Sequence, residues 1–301
     1  MKKTYCSNGK LLITGEYVVL DGVMALAIPT KYGQSLTISE EEGTALSWES
    51  KDEHGSVWFE ATFSPQLLLN STTHPEIAHS LLEILKKAKQ LNPQFLSKRQ
   101  GLKAVSQLDF PRNWGLGSSS TLINNIAQWA GVDAFVLLEE SFGGSGYDIA
   151  AAQSNVPVLF TRNNNTQLIQ SESLAWEFTE QLFFVHLNQK QNSKEGIARY
   201  KKAILTKKVP VNAFSEITKK VVACKTLPRF VELLTEHEAL ISSLIELPTV
   251  QKKLFPDYSG FVKSLGAWGG DFVLVTGEKK DQSYFRKKGY HTIVPFSEMI
   301  K

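Results

Sequence analysis

The chain has 301 residues, 42% of them hydrophobic and 21% charged, enough apolar content to bury a sizeable core. Thirty-three Lys and Arg against 30 Asp and Glu leave a net charge of +3, too balanced for the basic footprint of a nucleic-acid binder. The composition also excludes a disordered chain, a collagen-like fibre and a disulfide scaffold, and no apolar run reaches the roughly 18 to 20 residues of a membrane span. A small-molecule partner is expected, with no nucleic acid and no membrane.

Only Cys6 and Cys224 are present, far apart and in no C-x-x-C pair. Lys2-Lys3 resembles the start of a signal peptide, but Glu16 and Asp21 break the apolar stretch that follows. Reduced thiols and a cytoplasmic location are expected.

The first 65 residues read as strands. Residues 11–20 are apolar-rich, and Asp21-Gly22 between two apolar runs predicts a hairpin turn. Residues 35–39 and 57–63 follow as strands, the second with Val57, Phe59, Ala61 and Phe63 on one face. From 75 to 91, Ile77, Leu81, Leu82, Leu85 and Ala88 recur at helical spacing, which predicts an amphipathic helix. A strand at 102–108 leads through a glycine-rich turn into a helix at 118–129, and a second turn at 143–146 opens an alanine-rich helix. A hairpin tip is predicted at 163–165 and a buried strand at 183–187. Helices follow at 195–206, 211–225 and 229–246, then strands at 271–276 and 291–294 with a helix at 282–288 between them. The pattern gives two α+β halves that divide between about residues 155 and 180.

Three segments concentrate the glycines. The central one is Pro111-Arg112-Asn113-Trp114-Gly115-Leu116-Gly117-Ser118-Ser119-Ser120-Thr121, between a strand and a helix. Glycine lets the backbone approach a ligand closely, and the N–H groups of a helix start point at an anion. The segment lacks the Lys of a P-loop and the third glycine of a dinucleotide motif. The second segment runs from Asn8-Gly9-Lys10 to Gly15-Glu16, and the third is Gly266-Ala267-Trp268-Gly269-Gly270-Asp271. Taken singly, each has an ordinary explanation: a capped helix, a surface lysine and glutamate on a hairpin, a tight turn.

Together, in this order, the three resemble the motifs of the GHMP small-molecule kinases, named for galactokinase, homoserine kinase, mevalonate kinase and phosphomevalonate kinase. Gly9-Lys10 through Glu16 is similar to P-G-K-x-x-x-x-G-E, with Asn8 for the proline. Residues 111–121 resemble P-x-x-x-G-L-G-S-S-[AS], and 263–270 resemble K-x-x-G-A-G-x-G with Trp268 in place of a glycine. Gly144-Ser145-Gly146-Tyr147-Asp148 looks like the G-S-G-[FY]-D of phosphomevalonate kinases, as Gly269-Gly270-Asp271 looks like their G-G-G-D. The Gly146-Tyr147-Asp148-Ile149-Ala150 run also resembles a short bacterial branch. Residues 188–194 correspond loosely to a substrate-side loop that precedes a helix.

The resemblance implies an α+β GHMP-kinase fold. Its N-terminal, nucleotide-binding domain (1–165) would be ribosomal-protein-S5-like and its C-terminal domain (166–301) ferredoxin-like, with the active site between them. It implies ATP-dependent phosphoryl transfer with Mg²⁺ to phosphomevalonate or mevalonate. A sugar or amino-acid alcohol as acceptor, or a binding protein without turnover, stays open, as does a homodimer. Catalytic Asp148 and Lys10 are implied, with Gly115, Leu116, Gly117, Ser118, Ser119 and Ser120 cradling the ATP phosphates. Ser119 would hold Mg²⁺. Glu16, Ser145, Gly146, Gly266, Ala267, Gly269 and Gly270 would bind substrate or close the site.

Two departures concern the metal and the spacing. Where mevalonate kinases place a second Mg²⁺ carboxylate, eleven residues before Asp148, this chain has Leu137; Glu140, and Glu139 beside it, are weaker substitutes on a short helix. Ser119 and Asp148 are only 29 positions apart, which suggests a lost helix. The six histidines show no ligand spacing.

Overall fold

The structure is a computed structural model that describes residues 2–98, 100–163, 166–190 and 193–301, with only the backbone at 193. Two residues of the hairpin tip, 164 and 165, and two of the loop at 188–194, 191 and 192, lie outside the described residues.

In chain order the elements begin with β1 (Lys2–Thr14), a 3-10 turn (Val18–Asp21), β2 (Ala25–Glu41), β3 (Leu46–Lys51), β4 (Val57–Phe63) and β5 (Leu69–Thr72). Next come α1 (Pro75–Leu91), β6 (Gly101–Leu108), α2 (Ser118–Ala130), α3 (Ala134–Ser141), α4 (Tyr147–Gln153), β7 (Val158–Asn163) and β8 (Thr166–Ser171). The rest is β9 (Leu182–His186), α5 (Ser193–Ala203), α6 (Val211–Val222), α7 (Leu227–Ile245), α8 (Val250–Leu254), β10 (Val262–Ser264), β11 (Phe272–Thr276), α9 (Gln282–Lys287), β12 (Ile293–Pro295) and α10 (Phe296–Met299). No helix of the described residues is long and apolar enough to cross a membrane.

The chain forms two compact units that interleave in sequence. One holds residues up to Gly9, Tyr32–Arg112 and Leu116–Gln153; the other holds Lys10–Lys31, Asn113–Gly115 and Ser154–Lys301.

In the first unit, β6 pairs antiparallel with the second half of β2, from Gln34↔Leu108 to Glu41↔Gly101. On its other side β6 runs parallel to β3, and β4 and β5 extend the sheet by antiparallel pairing. Trp48, Phe59 and Phe63 face inward from the strands onto Leu81, Leu85, Ile123, Ile126 and Leu137 of the helices. Of the apolar spacing predicted for 75–91, Leu81, Leu82, Leu85 and Ala88 lie in the buried stripe of α1, with Ala78 and Ile84 beside them, and Ile77 is half-buried. A buried polar chain runs beneath α2. Thr121 Oγ1 donates to Gln34 Oε1 at 2.5 Å, and Asn125 Nδ2 donates to the Gln34 carbonyl at 2.9 Å. Ser7 Oγ donates to Asn125 Oδ1 at 2.7 Å and accepts from Asn124 Nδ2 at 2.8 Å. Gln153 Nε2 donates to Asn124 Oδ1 at 2.8 Å, which ties α4 to α2.

In the second unit, β9, β10, β11 and β12 form an antiparallel sheet in the order β10-β11-β9-β12. With helices between β9 and β10 and between β11 and β12, this is the β-α-β-β-α-β arrangement of a ferredoxin-like domain. Phe183, Val185, Val273, Val275, Phe255 and Phe285 fill one face. The first residues of β2 pair with β7, and β7 with β8.

The hairpin predicted at Asp21-Gly22 is absent. β1 ends at Thr14, and Gly15 follows at φ +94°, where a Cβ would lie 2.6 Å from the Ala25 Cβ, so the position demands glycine. The chain then coils through Val18–Asp21 and leaves by Gly22 at φ +81° before entering β2. Val18 and Val19 are therefore buried in a 3-10 turn and not in a strand.

Candidate functional site

Lys10 lies on β1, half-buried, and its Nζ donates to the Gly115 carbonyl at 3.3 Å. Gly115 has φ +67°, and a Cβ on it would collide with the carboxylate of Asp271. Only glycine fits there. The two residues before it are also held from the β9–β11 sheet. His186 Nε2 donates to the Asn113 carbonyl at 3.0 Å, while Trp114 meets Phe272 edge-to-face with centroids 5.2 Å apart. The other ring nitrogen, Nδ1, accepts from the Asn188 N–H at 3.3 Å.

The third glycine-rich segment turns through Gly266 at φ +59° and Gly269 at φ +100°, with Ala267 half-buried beside the first and Gly270 buried after the second. Trp268 is anchored in the core with Tyr17, Tyr200 and Phe214, and its indole N–H donates to the Pro248 carbonyl at 3.2 Å. It braces the turn from inside.

Glu16 has no exposed surface, and neither has Lys263. Lys263 Nζ donates to Glu16 Oε1 at 2.5 Å, to the Ser264 carbonyl at 2.9 Å and to Glu238 Oε1 at 3.4 Å. The first and third motifs are thus joined by a buried ion pair between Glu16, which the resemblance gives to substrate or to closing the site, and Lys263. Two carboxylates face one ammonium. Burial pushes the Glu238 carboxyl up to about 7, with Lys263 opposing the rise and Glu16 adding to it. Burial likewise raises Glu16, with Lys263 pulling it down. His237 Nε2 accepts from the Gly15 N–H at 3.0 Å, and burial holds this ring well below its ordinary value, with Lys263 adding to the drop. The ring is therefore neutral, and its 3.5 Å approach to Glu16 is not an ion pair. Neither His237 nor Glu238 carries a motif. Both were invisible in the sequence because a charged residue on an amphipathic helix reads as surface.

In the first unit, α2 starts immediately after Gly117, which has φ +90°, and no side chain caps it among the described residues. Its first turn carries no acidic residue. Leu116 is buried beneath the turn, Ser118 and Ser120 are half-buried and Ser119 is exposed. Unpaired N–H groups at such a helix start, with its positive dipole end, suit an anion. Asp148 is half-buried in the first turn of α4, after the buried Ser145 and Gly146, the latter at φ +96°. α4 packs on α2.

Leu137 is fully buried in the helical core, so no carboxylate stands at that position. Glu140 is exposed on α3 and pairs with Lys87 of α1 at 3.3 Å. Among the described residues, no cluster of three or more His, Cys, Asp or Glu could hold a metal ion. Cys6 is an exposed free thiol and Cys224 a buried one.

No family model and no curated protein matches the sequence. Solved structures do match. The mevalonate kinase of Methanococcus jannaschii aligns over 97% of both chains with a TM-score of 0.69 at 15% identity. The phosphomevalonate kinase of Streptococcus pneumoniae, in complex with phosphomevalonate and AMPPNP, aligns over 97% of this chain and 99% of that one, with a TM-score of 0.69 at 14% identity. The galactokinase of Lactococcus lactis, complexed with galactose, aligns over 95% and 88%, with a TM-score of 0.69 at 13% identity. The chain has the GHMP-kinase fold. In this GHMP-kinase fold the glycine turn that opens α2, the Lys10 strand and the Gly266–Gly270 turn are built from the three segments marked in the sequence.

Proposed function

We propose that the protein is an ATP-dependent kinase of a small molecule, with phosphomevalonate or mevalonate as acceptor. One observation carries this reading. The α2 start combines positive-φ glycines, an uncapped row of backbone N–H groups and no acidic residue in its first turn, which is a cradle for polyphosphate. The fold it shares with a phosphomevalonate kinase that binds AMPPNP supports the choice of nucleotide.

Phosphoryl transfer asks mainly for positioning and charge neutralisation. The backbone of residues 115–120 would hold the ATP phosphates. Lys10, whose ammonium already lies on Gly115, would offset the charge that builds between donor and acceptor. The acceptor oxygen attacks the γ-phosphorus, the bond to the β,γ-bridging oxygen breaks, and ADP leaves. With an alcohol as acceptor, Asp148 takes the hydroxyl proton; with a phosphate, already an anion, Asp148 serves as an anchor. The exposed Ser119 hydroxyl suits Mg²⁺ carried in by ATP, and the metal would neutralise phosphate charge. Ser145 and the Gly266–Gly270 turn would border the acceptor.

The core position of Leu137 favours a second reading, a nucleotide-binding protein without turnover. A coupled ADP-release assay across phosphomevalonate, mevalonate, homoserine and galactose separates the two. Turnover with one of the first two, abolished in Asp148→Ala and in Lys10→Ala, is the expected result. ATP binding with no turnover on any acceptor would refute the kinase.

A further inference from the structure

One carboxylate beside the glycine turn has no part in the roles above. Asp271 follows Gly269-Gly270 and has φ +53°, a conformation that favours glycine and costs an ordinary residue about 1 kcal/mol. Both of its backbone groups are fixed. Its N–H donates to the Gln189 carbonyl, and its carbonyl accepts from the Leu187 N–H, each at 2.7 Å. The side chain is thereby aimed at Gly115, where the carboxylate occupies the space a Cβ would take. The Lys10 ammonium donates to the carbonyl of that same glycine at 3.3 Å. A negative and a positive group thus bracket one residue of the phosphate turn, both half-buried, where their attraction is stronger than in bulk water.

The surroundings make this a built arrangement. Asn113, Trp114 and Gly115 meet His186, Phe272 and Asp271 in turn, so three successive loop residues are held from β9 and the start of β11. An acid so close to a polyphosphate cradle would repel the ligand if it acted on the ligand directly. Its position suits a counter-charge for the lysine.

We propose that Asp271 is a positioning residue for phosphoryl transfer, whose carboxylate fixes Gly115 and orients the Lys10 ammonium on it. Its kinetic consequence rests on the kinase reading; the Asp271–Lys10 relation does not.

Asp271→Asn and Asp271→Gly both tolerate the positive φ, so both are expected to fold. Site-resolved acylation of Lys10 by acetic anhydride, followed by mass spectrometry from pH 7 to 11, needs no turnover. Removing the carboxylate should lower the midpoint by roughly one pH unit, about tenfold faster labelling below it. An unchanged midpoint in both variants overturns the proposal. Where the wild type turns over, kcat should fall about tenfold in either variant with little change in acceptor KM. A purely structural role would instead leave Asp271→Gly active and at least as stable, since the backbone strain is relieved. A wild type inactive on every acceptor sinks the kinase reading, and the acylation midpoint alone then decides on Asp271.

Discussion

Glu238→Gln tests the charge balance of the buried cluster. Glu238 is 2% exposed, and its carboxyl is raised from an ordinary 4.5 to about 7, chiefly by burial. The folded protein therefore holds a proton that the unfolded chain has released between those two values. Stability from this group is complete below about pH 4.5 and is lost as pH climbs through about 7. At about 1.4 kcal/mol per pH unit, the whole loss amounts to roughly 3 kcal/mol. Glutamine keeps the shape and the polar contacts to Lys263 and Ser264 but has no proton to release. Urea unfolding of both proteins from pH 5 to 8.5, followed by tryptophan fluorescence, isolates the effect, because every other titrating group is common to the two. The variant's stability relative to wild type should rise by roughly 2.5 kcal/mol across that range, most of it by pH 7. Parallel curves would show that Glu238 is ionised throughout, and the two-acids-to-one-lysine account of the cluster would fall.

Gly15→Ala should cost at least about 2 kcal/mol in the same unfolding assay, from the positive φ and the clash with Ala25. Leu137→Asp, which restores a carboxylate eleven residues before Asp148, should cost about 4 kcal/mol or more and give no Mg²⁺-dependent gain, because the site is core. Asn125→Leu leaves Ser7 without its acceptor and the Gln34 carbonyl without its donor. It should destabilise by about 2–3 kcal/mol and weaken AMPPNP binding in calorimetry, and a loss below about 0.5 kcal/mol would show that the polar chain does not hold α2.

The parts of the fold legible in the sequence are those where one face is dry. The α1 stripe and the alternation of β4 both emerge from apolar periodicity; the structure buries Leu81, Leu82, Leu85 and Ala88 of the first and Phe59, Ala61 and Phe63 of the second, while Ile77 is half-buried and Val57 exposed. Strand β3 was missed because Glu49 and Lys51 alternate with Trp48 and Ser50, and β5 because only four residues form it. The 3-10 turn after Gly15 looked like a strand because Val18 and Val19 are apolar and β-branched; the close approach of Ala25 to Gly15, which leaves no room for a Cβ, is a tertiary fact. At the candidate site, the glycine turns were legible because backbone geometry demands glycine itself. The pairing of Glu16 with Lys263, and Glu238 beside them, was not, since a charge in a sequence does not state whether its partner lies in solvent or 247 residues away. Asp271 and His186 act through the loop backbone, and no spacing pattern records that.

The interleaving of the two units has a consequence for synthesis. The segment Lys10–Lys31 leaves the ribosome well before its unit is completed by residues after Gln153. In the finished protein Leu12, Ile13, Val18, Val19, Val23, Leu26 and Ile28 are each at most 2% exposed. At about 5 to 20 residues per second, this apolar stretch waits on the order of ten seconds for its partners. A fragment ending at residue 165 would strand it permanently. During translation the same stretch is where a holding chaperone would bind, and where an unaided nascent chain would begin to aggregate.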